Sequence, residues 1–597
     1  MTRLALLISL FLCLAFSINA QKKTTSSLCT RDNAVDTTKQ QILITRTFDN
    51  PVQRIAVLLR AADLLWPDEQ EKSLAEFMEA FDLAVQNFKE KGDQTERTSS
   101  SKVAAIIQLP DQRFKVITAL AKRDPARARK LSEQMLQDDA RDVADKSDTD
   151  DQSKRLTNDK LLRMAFDVAP TNPSSAINFA RQSLRYPATL QLPIFLYQLA
   201  KSSQPLADQF YVDALNAYKA TPMDQFLYLS SYPFGNQREA GEMPGYTFYA
   251  VPEDFRPNRA FQRMFVKALL ERSEAALEMP VQETPLYRYS DHAQMWLALN
   301  RLDKQVQSAL PDLADAVARS KDKLFALLTP NVQRGLTRVI TSDTAPKKSF
   351  DEQFEAAEKL TDVAQRDQNL SFAVTSSSKD EPVEKVLSVI DEISDSGVRD
   401  SLTNWFYYFR AQQLITAKNL TEARKLASKV AELDQRAYLF TRIAEESLKV
   451  AEDQTEAREL LNEVADTISK APKTIGSARA LLALAYLYAK IDMNRGVEEL
   501  GNAVRTINAL EAPDFSRQFV MMKIEGKNFG SYASYSTPGF NPENAFREMG
   551  KLDFDGSLSN ATNFTDKSLR ALTTLAVIEP CFSSQKAQRG TQKRTKN

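Results

Sequence analysis

TEARKLASKV at residues 421–430 is echoed by TEARELLNEV at 455–464. The tetrapeptides start 34 residues apart, and self-similarity at a fixed period of this length is the signature of a repeat architecture. Behind each tetrapeptide, apolar or small residues return one helical turn at a time: Ala423, Ala427 and Val430 in the first copy, Ala457, Leu461 and Val464 in the second. A third set, Ala485, Tyr488, Val497 and Val504, follows at a spacing of 40. Alanines at such positions let two antiparallel helices approach closely, so the spacing predicts helix pairs over 404–437 and 438–471.

With Ala411 and Ala423 at its two small positions, the first copy resembles the tetratricopeptide repeat, and the likeness extends over roughly 404–510. Tyr407, Ala411 and Gln435 stand where that family has Trp, Gly and Pro, and Glu445 stands where the second copy wants a small residue. The resemblance implies an all-α chain, a right-handed α-solenoid of antiparallel helix pairs. The long concave face of such a stack mostly binds proteins or peptides.

The rest of the chain carries the same helical periodicity. Asn50-Pro51, Asp124-Pro125 and Asn172-Pro173 are start signals, and helix pairs follow at 190–202 and 205–219. A larger repeat overlies these pairs. YTFYAVPEDFRPNRAFQRM (246–264) matches YASYSTPGFNPENAFREM (532–549) at Tyr246/Tyr532, Tyr249/Tyr535, Pro252/Pro538 and Phe255/Phe540. The match continues at Pro257/Pro542, Ala260/Ala545, Phe261/Phe546 and Met264/Met549. The offset of 285–286 residues is about half the chain, which predicts two homologous halves. The N-terminal half is 21–340, with an aromatic loop at 226–261. A polar linker follows at 341–382. The C-terminal half is 383–582, with an aromatic loop at 529–546, and a disordered basic tail takes 583–597. The acidic stretch 142–155 reads as a solvated spacer. Each loop is expected to lead into a helix at Pro257 or Pro542, capped by Arg256 or Asn541, with Phe255 or Phe540 stapled onto Ala260 or Ala545.

Arg3 followed by an apolar run from Leu4 to Phe16, with Ala20 before Gln21, reads as a signal peptide over 1–20, too short to span a bilayer. The expected product is secreted, periplasmic or extracellular, without stable membrane insertion. Two cysteines remain after cleavage, Cys29 and Cys581. An oxidising compartment invites a disulfide between them; the alternative is two separate thiols. A bridge needs Cα atoms about 4.4–6.8 Å apart, and the ends of a solenoid usually diverge.

Composition excludes much of the remaining chemistry. Lys+Arg and Asp+Glu number 78 each, so no charge bias points to nucleic acid. Fifteen glycines in 597 residues argue against Gly-rich phosphate loops and hairpin-rich folds. With His292 the one histidine, a two-histidine zinc motif is impossible, and Ser290-Asp291-His292 reads as a polar first turn of a helix. Asp553-Phe554-Asp555-Gly556 lacks the remaining ligands of a calcium loop. No catalytic, metal or cofactor residue is singled out, and no cofactor is expected. The expected function is a non-enzymatic scaffold binding a protein or peptide partner. The alternative is glycan or small-ligand binding through Tyr246, Tyr249, Tyr532 and Tyr535, whose rings join apolar area to a hydroxyl. An enzyme with an unrecognised carboxylate site is the third reading.

Overall fold

The computed structural model describes residues 28–92, 111–144, 151–235, 251–281, 289–344, 348–449, 454–511, 513, 515 and 541–583, with strand segments at 238–239, 247–249, 519–526 and 530–536. The expected signal peptide and all but Ser583 of the expected tail lie outside these residues. The chain is all-α, built of antiparallel helix pairs stacked as an α-solenoid, with two small β-hairpins. It divides into two compact units. The terminal unit takes the residues up to Phe48, Tyr407–Met522 and those from Ala533 onward; the internal unit takes Asp49–Phe406 and Lys523–Tyr532.

The first described helix, α1 (Arg31–Thr45), belongs to the terminal unit. The internal unit follows with α2 (Pro51–Leu65), α3 (Gln70–Lys91), α4 (Gln112–Ala121), α5 (Pro125–Ala144), α6 (Asp151–Val168), α7 (Pro173–Ser183), α8 (Gln191–Tyr218) and the single turn α9 (Met223–Phe226). Strands β1 (Arg238–Glu239) and β2 (Thr247–Tyr249) precede α10 (Arg259–Leu277), α11 (Asp291–Ala309), α12 (Pro311–Leu327), α13 (Pro330–Thr344), α14 (Phe350–Glu358), α15 (Val363–Thr375), α16 (Val383–Asp391) and α17 (Ser396–Thr416). The remaining elements are α18 (Leu420–Ala427), α19 (Leu433–Ser447), α20 (Gln454–Lys470), α21 (Ile475–Tyr488), α22 (Met493–Asn508), β3 (Phe519–Glu525), β4 (Gly530–Ser536), α23 (Pro542–Leu552), α24 (Phe554–Thr562) and α25 (Lys567–Ile578).

Helix starts follow the capping chemistry. Asn50 accepts from the Val52 amide with Pro51 opening α2, and Asn172 accepts from Ser175 with Pro173 opening α7. Ser349 and Glu352 form a reciprocal capping box on α14. In the internal unit α2, α4, α6 and α8 adjoin in one row, with α3, α5 and α7 filling the second layer. In the terminal unit α19, α21 and α23 form one row, and α20, α22 and α24 are their paired partners. Ala423, Ala457 and Ala485 are fully buried. The second pair begins at Leu433, five residues before its expected start at 438, because the turn after α18 is short.

Four elements have counterparts at the offset of the sequence match. Helix α8 is interrupted at Ser203 (φ −163°, ψ 96°) with Pro205 just beyond, so it is physically two helices, 191–202 and 205–218, as the sequence pattern predicts. Shifted by 285–286 residues, these two segments fall on α21 and α22, α7 falls on α20, β2 on β4, and α10 on α23 plus α24. The single helix α10 becomes two in the second copy because Asp553 leaves the helical region (φ −138°) and its carboxylate caps the Gly556 amide. The same bond makes Asp553-Phe554-Asp555-Gly556 a helix start.

Three boundaries differ from the sequence reading. Residues 341–382, expected as a linker, include the end of α13 and the mutually packed α14 and α15. Short, polar helices with few inward positions read as a spacer. For the same reason the expected spacer 142–155 is helical at both ends, up to Ala144 and from Asp151. The first helix, assigned to the N-terminal half, groups instead with the C-terminal helices and packs on α25.

Candidate functional site

The two aromatic segments, expected as irregular loops, contain two-stranded hairpins. β1 pairs antiparallel with β2, Arg238 opposite Tyr249 and Glu239 opposite Thr247, and β3 pairs with β4. Each follows a helix pair in the chain and precedes a further helix. Tyr249 is the last residue of β2, and Tyr532 and Tyr535 lie on β4. Tyr246 lies outside the described residues. Positions 532 and 535, three apart on an extended strand, belong to opposite faces of it.

Beneath the first hairpin is an aromatic nest. Tyr211 stacks on Tyr232 with ring centroids 5.2 Å apart, and Phe255 meets Tyr232 edge-on at 5.0 Å and Tyr197 at 5.4 Å. The Tyr232 hydroxyl donates to Asp208 Oδ1 at 2.7 Å, and the Tyr197 hydroxyl donates to the Ser231 carbonyl at 2.9 Å. Burial, then the bond to Asp208, raises the Tyr232 phenol far above its ordinary range, and burial raises Asp208. Gly235 adopts the left-handed conformation (φ 66°), and a Cβ there would lie 3.2 Å from Pro257 and 3.6 Å from the Phe255 ring, so the turn and Phe255 are fitted to each other. The nest is a structural anchor that fixes where the hairpin leaves the helices.

The expected staple fails in the first copy. The cap is Asn258, whose side chain accepts from the Ala260 amide; Arg256 has no acceptor to offer. Helix α10 therefore starts at Arg259, with Pro257 outside it. That places Ala260 at the second helical position, exposed, and Phe255 packs on Tyr197 and Tyr232. In the second copy Asn541 caps a helix that opens on Pro542, and Ala545 at the fourth position is buried. Phe540 lies outside the described residues.

Cys29 and Cys581 are joined by a disulfide, with Cα atoms 5.2 Å apart. The ends meet because α1 lies on α25 within the terminal unit, a placement the sequence pattern did not signal. His292 is buried, its Nε2 2.8 Å from the Ala276 carbonyl oxygen, and Ser290 caps α11 by accepting from Ala293. Among the described residues no group of three or more His, Cys, Asp or Glu is placed to hold a metal ion, and no helix is long and apolar enough to cross a membrane.

In the repeat region of the terminal unit, the row helices α19 and α21 differ in how much they meet solvent. Helix α21 is buried at every position from Ser477 to Ala485, so its side of the row is closed. Helix α19 reaches solvent along the half-buried Tyr438, Arg442 and Glu445, spaced at successive helical turns, and the exposed Lys449 continues the line just beyond the helix end. Tyr438 stacks on Tyr408 at 6.3 Å, and Gln412 donates to the Tyr408 hydroxyl at 2.7 Å. Arg442 pairs with Glu445 at 3.4 Å, and Lys418 and Lys449 hold the Glu446 carboxylate below its usual range. No single residue of this line is a motif, so sequence reading found only the helix that carries it.

No protein-family model matches the chain, and no characterised protein matches it in sequence. Among solved structures it is similar to a circular tandem repeat protein with novel repeat topology and enhanced subunit contact surfaces. That match has 12% identity, covers 94% of this chain and 100% of that one, and has a TM-score of 0.12. Superposition at that level carries no argument about fold or function.

Proposed function

We propose that the chain is a secreted, non-enzymatic scaffold of tetratricopeptide-like repeats that binds a protein or peptide on its helical face. The observation that supports this most is the line Tyr438, Arg442 and Glu445, continued by Lys449 past the helix end, on a helix whose other sides are packed. Tyr and Arg are the residues that most often anchor interfaces, since they combine contact area with directed hydrogen bonds. A mixed-charge line of about three turns suits an extended or helical peptide of complementary sign order. The joined Cys29 and Cys581 are in keeping with an oxidising compartment.

A second reading assigns binding of a glycan or small ligand to the hairpins, on the grounds that each follows a helix pair at a matching place in the chain and carries tyrosine on its second strand. Affinity capture with the mature chain separates the two. The charge reversal Arg442→Glu with Glu445→Lys should abolish partner capture while leaving the helical circular dichroism intact. Capture that survives this change but is lost in Tyr249→Ala with Tyr535→Ala would move binding to the hairpins.

A further inference from the structure

We propose that the Cys29–Cys581 disulfide is a redox latch that holds α1 against the C-terminal helices. The face that α1 turns inward is polar and small: Ala34, Thr38, Gln41 and Thr45 are its buried residues. The Thr38 and Thr45 hydroxyls donate to carbonyls of their own helix, those of Ala34 at 2.7 Å and Ile42 at 2.6 Å, so these bonds do not tie α1 to its neighbour. Of its larger apolar side chains, Val35 and Ile42 are only half-buried, and Leu43 and Ile44 point away, 56% and 40% exposed. A helix with this inverted pattern gains little from burial, since the hydrophobic term scales with the apolar area removed from water. Arg31 Nη1 donates to the Phe582 carbonyl at 3.0 Å, and Lys567 Nζ donates to the Thr47 carbonyl at 3.1 Å. Both partly exposed bonds trade against water and add little. The covalent bridge is the strong fastening.

Its chemistry is accessible from one side. Cys29 is half-buried and Cys581 is 1% exposed. A thiolate of an external dithiol attacks Cys29 Sγ; the S–S bond breaks, and Cys581 leaves as a thiolate and takes up a proton. The second thiol of the dithiol then displaces Cys29 from the mixed disulfide. Two electrons pass to the protein, which ends with two thiols, and the reductant ends as its own internal disulfide. Released, α1 stays joined to the chain through 46–50 and can leave the α25 face beneath it.

The test is hydrogen–deuterium exchange on the full mature chain, oxidised and after native reduction with dithiothreitol, with thiol alkylation to count reduced cysteines. Exchange over 31–45 should accelerate about tenfold or more, with a smaller gain over 567–582, while 475–488 stays protected. Cys29→Ser should show the same pattern without reductant. Two alkylated thiols with unchanged protection over 31–45 would overturn the latch. So would resistance of the bond to native reduction, or loss of protection throughout the chain.

Discussion

Gly496 and Gly335 make opposite predictions for the same substitution. Gly496 lies in α22 where that helix crosses the end of α21. A Cβ there would sit 2.8 Å from the Ala489 nitrogen and 2.9 Å from both the Ala485 oxygen and the Ala489 Cα. All three atoms are backbone, so no side chain can swing aside. Restoring ordinary contact requires the helices to part by roughly half an ångström, and overpacking of this kind costs about 1–3 kcal/mol. Alanine returns about 1 kcal/mol of helix propensity, which leaves a net loss of up to about 2 kcal/mol. Gly335 is an exposed interior position of α13, with nothing within 4 Å of where a Cβ would stand. There only the propensity gain of about 1 kcal/mol remains. Denaturant unfolding followed by circular dichroism should therefore show Gly496→Ala lowering the midpoint and Gly335→Ala raising it. A stabilising Gly496→Ala, with Gly335→Ala behaving as stated, would refute the close crossing of α21 and α22.

Ala457→Leu should overpack the α19–α20 crossing and destabilise by about 1–3 kcal/mol in the same assay. Burial pushes the Asp159 carboxyl up to about 6 from its ordinary 3.8, against the opposing bond from Thr189. Its folded-state pKa is raised, so the associated stability is present below pH ~4 and is lost as pH rises through ~6. Asp159→Asn should then stabilise at pH 7 by about 3 kcal/mol at most and leave little difference from wild type at pH 4.

Helix pairing was legible because alanines such as Ala423 and Ala457 recur at a period that only close helix crossing requires. Eight matched residues made the offset legible, and α7, α8, β2 and α10 have counterparts at that same offset. Strands β2 and β4 were not legible: three to seven residues flanked by Gly and Pro give too short an alternation to separate from a loop. The docking of α1 was hidden for a different reason. Its inward residues Thr38, Gln41 and Thr45 are polar, so the pattern points the helix the wrong way round, and only the meeting of Cys29 with Cys581 marks its true neighbour. The cap at Asn258 was displaced by the preceding proline, which drew the expected start two residues early. The Tyr438 line could not be read because half-buried polar residues on a helix look like any wet face until packing shows which sides are closed.

Site-specific photocrosslinking tests the proposed binding face most directly. A photoreactive residue in place of Arg442 in the mature chain should trap a discrete partner, and one in place of Lys470, exposed on α20, should not. Trapping from position 249 or 535 with none from 442 would contradict the account, as would equal trapping from 442 and 470.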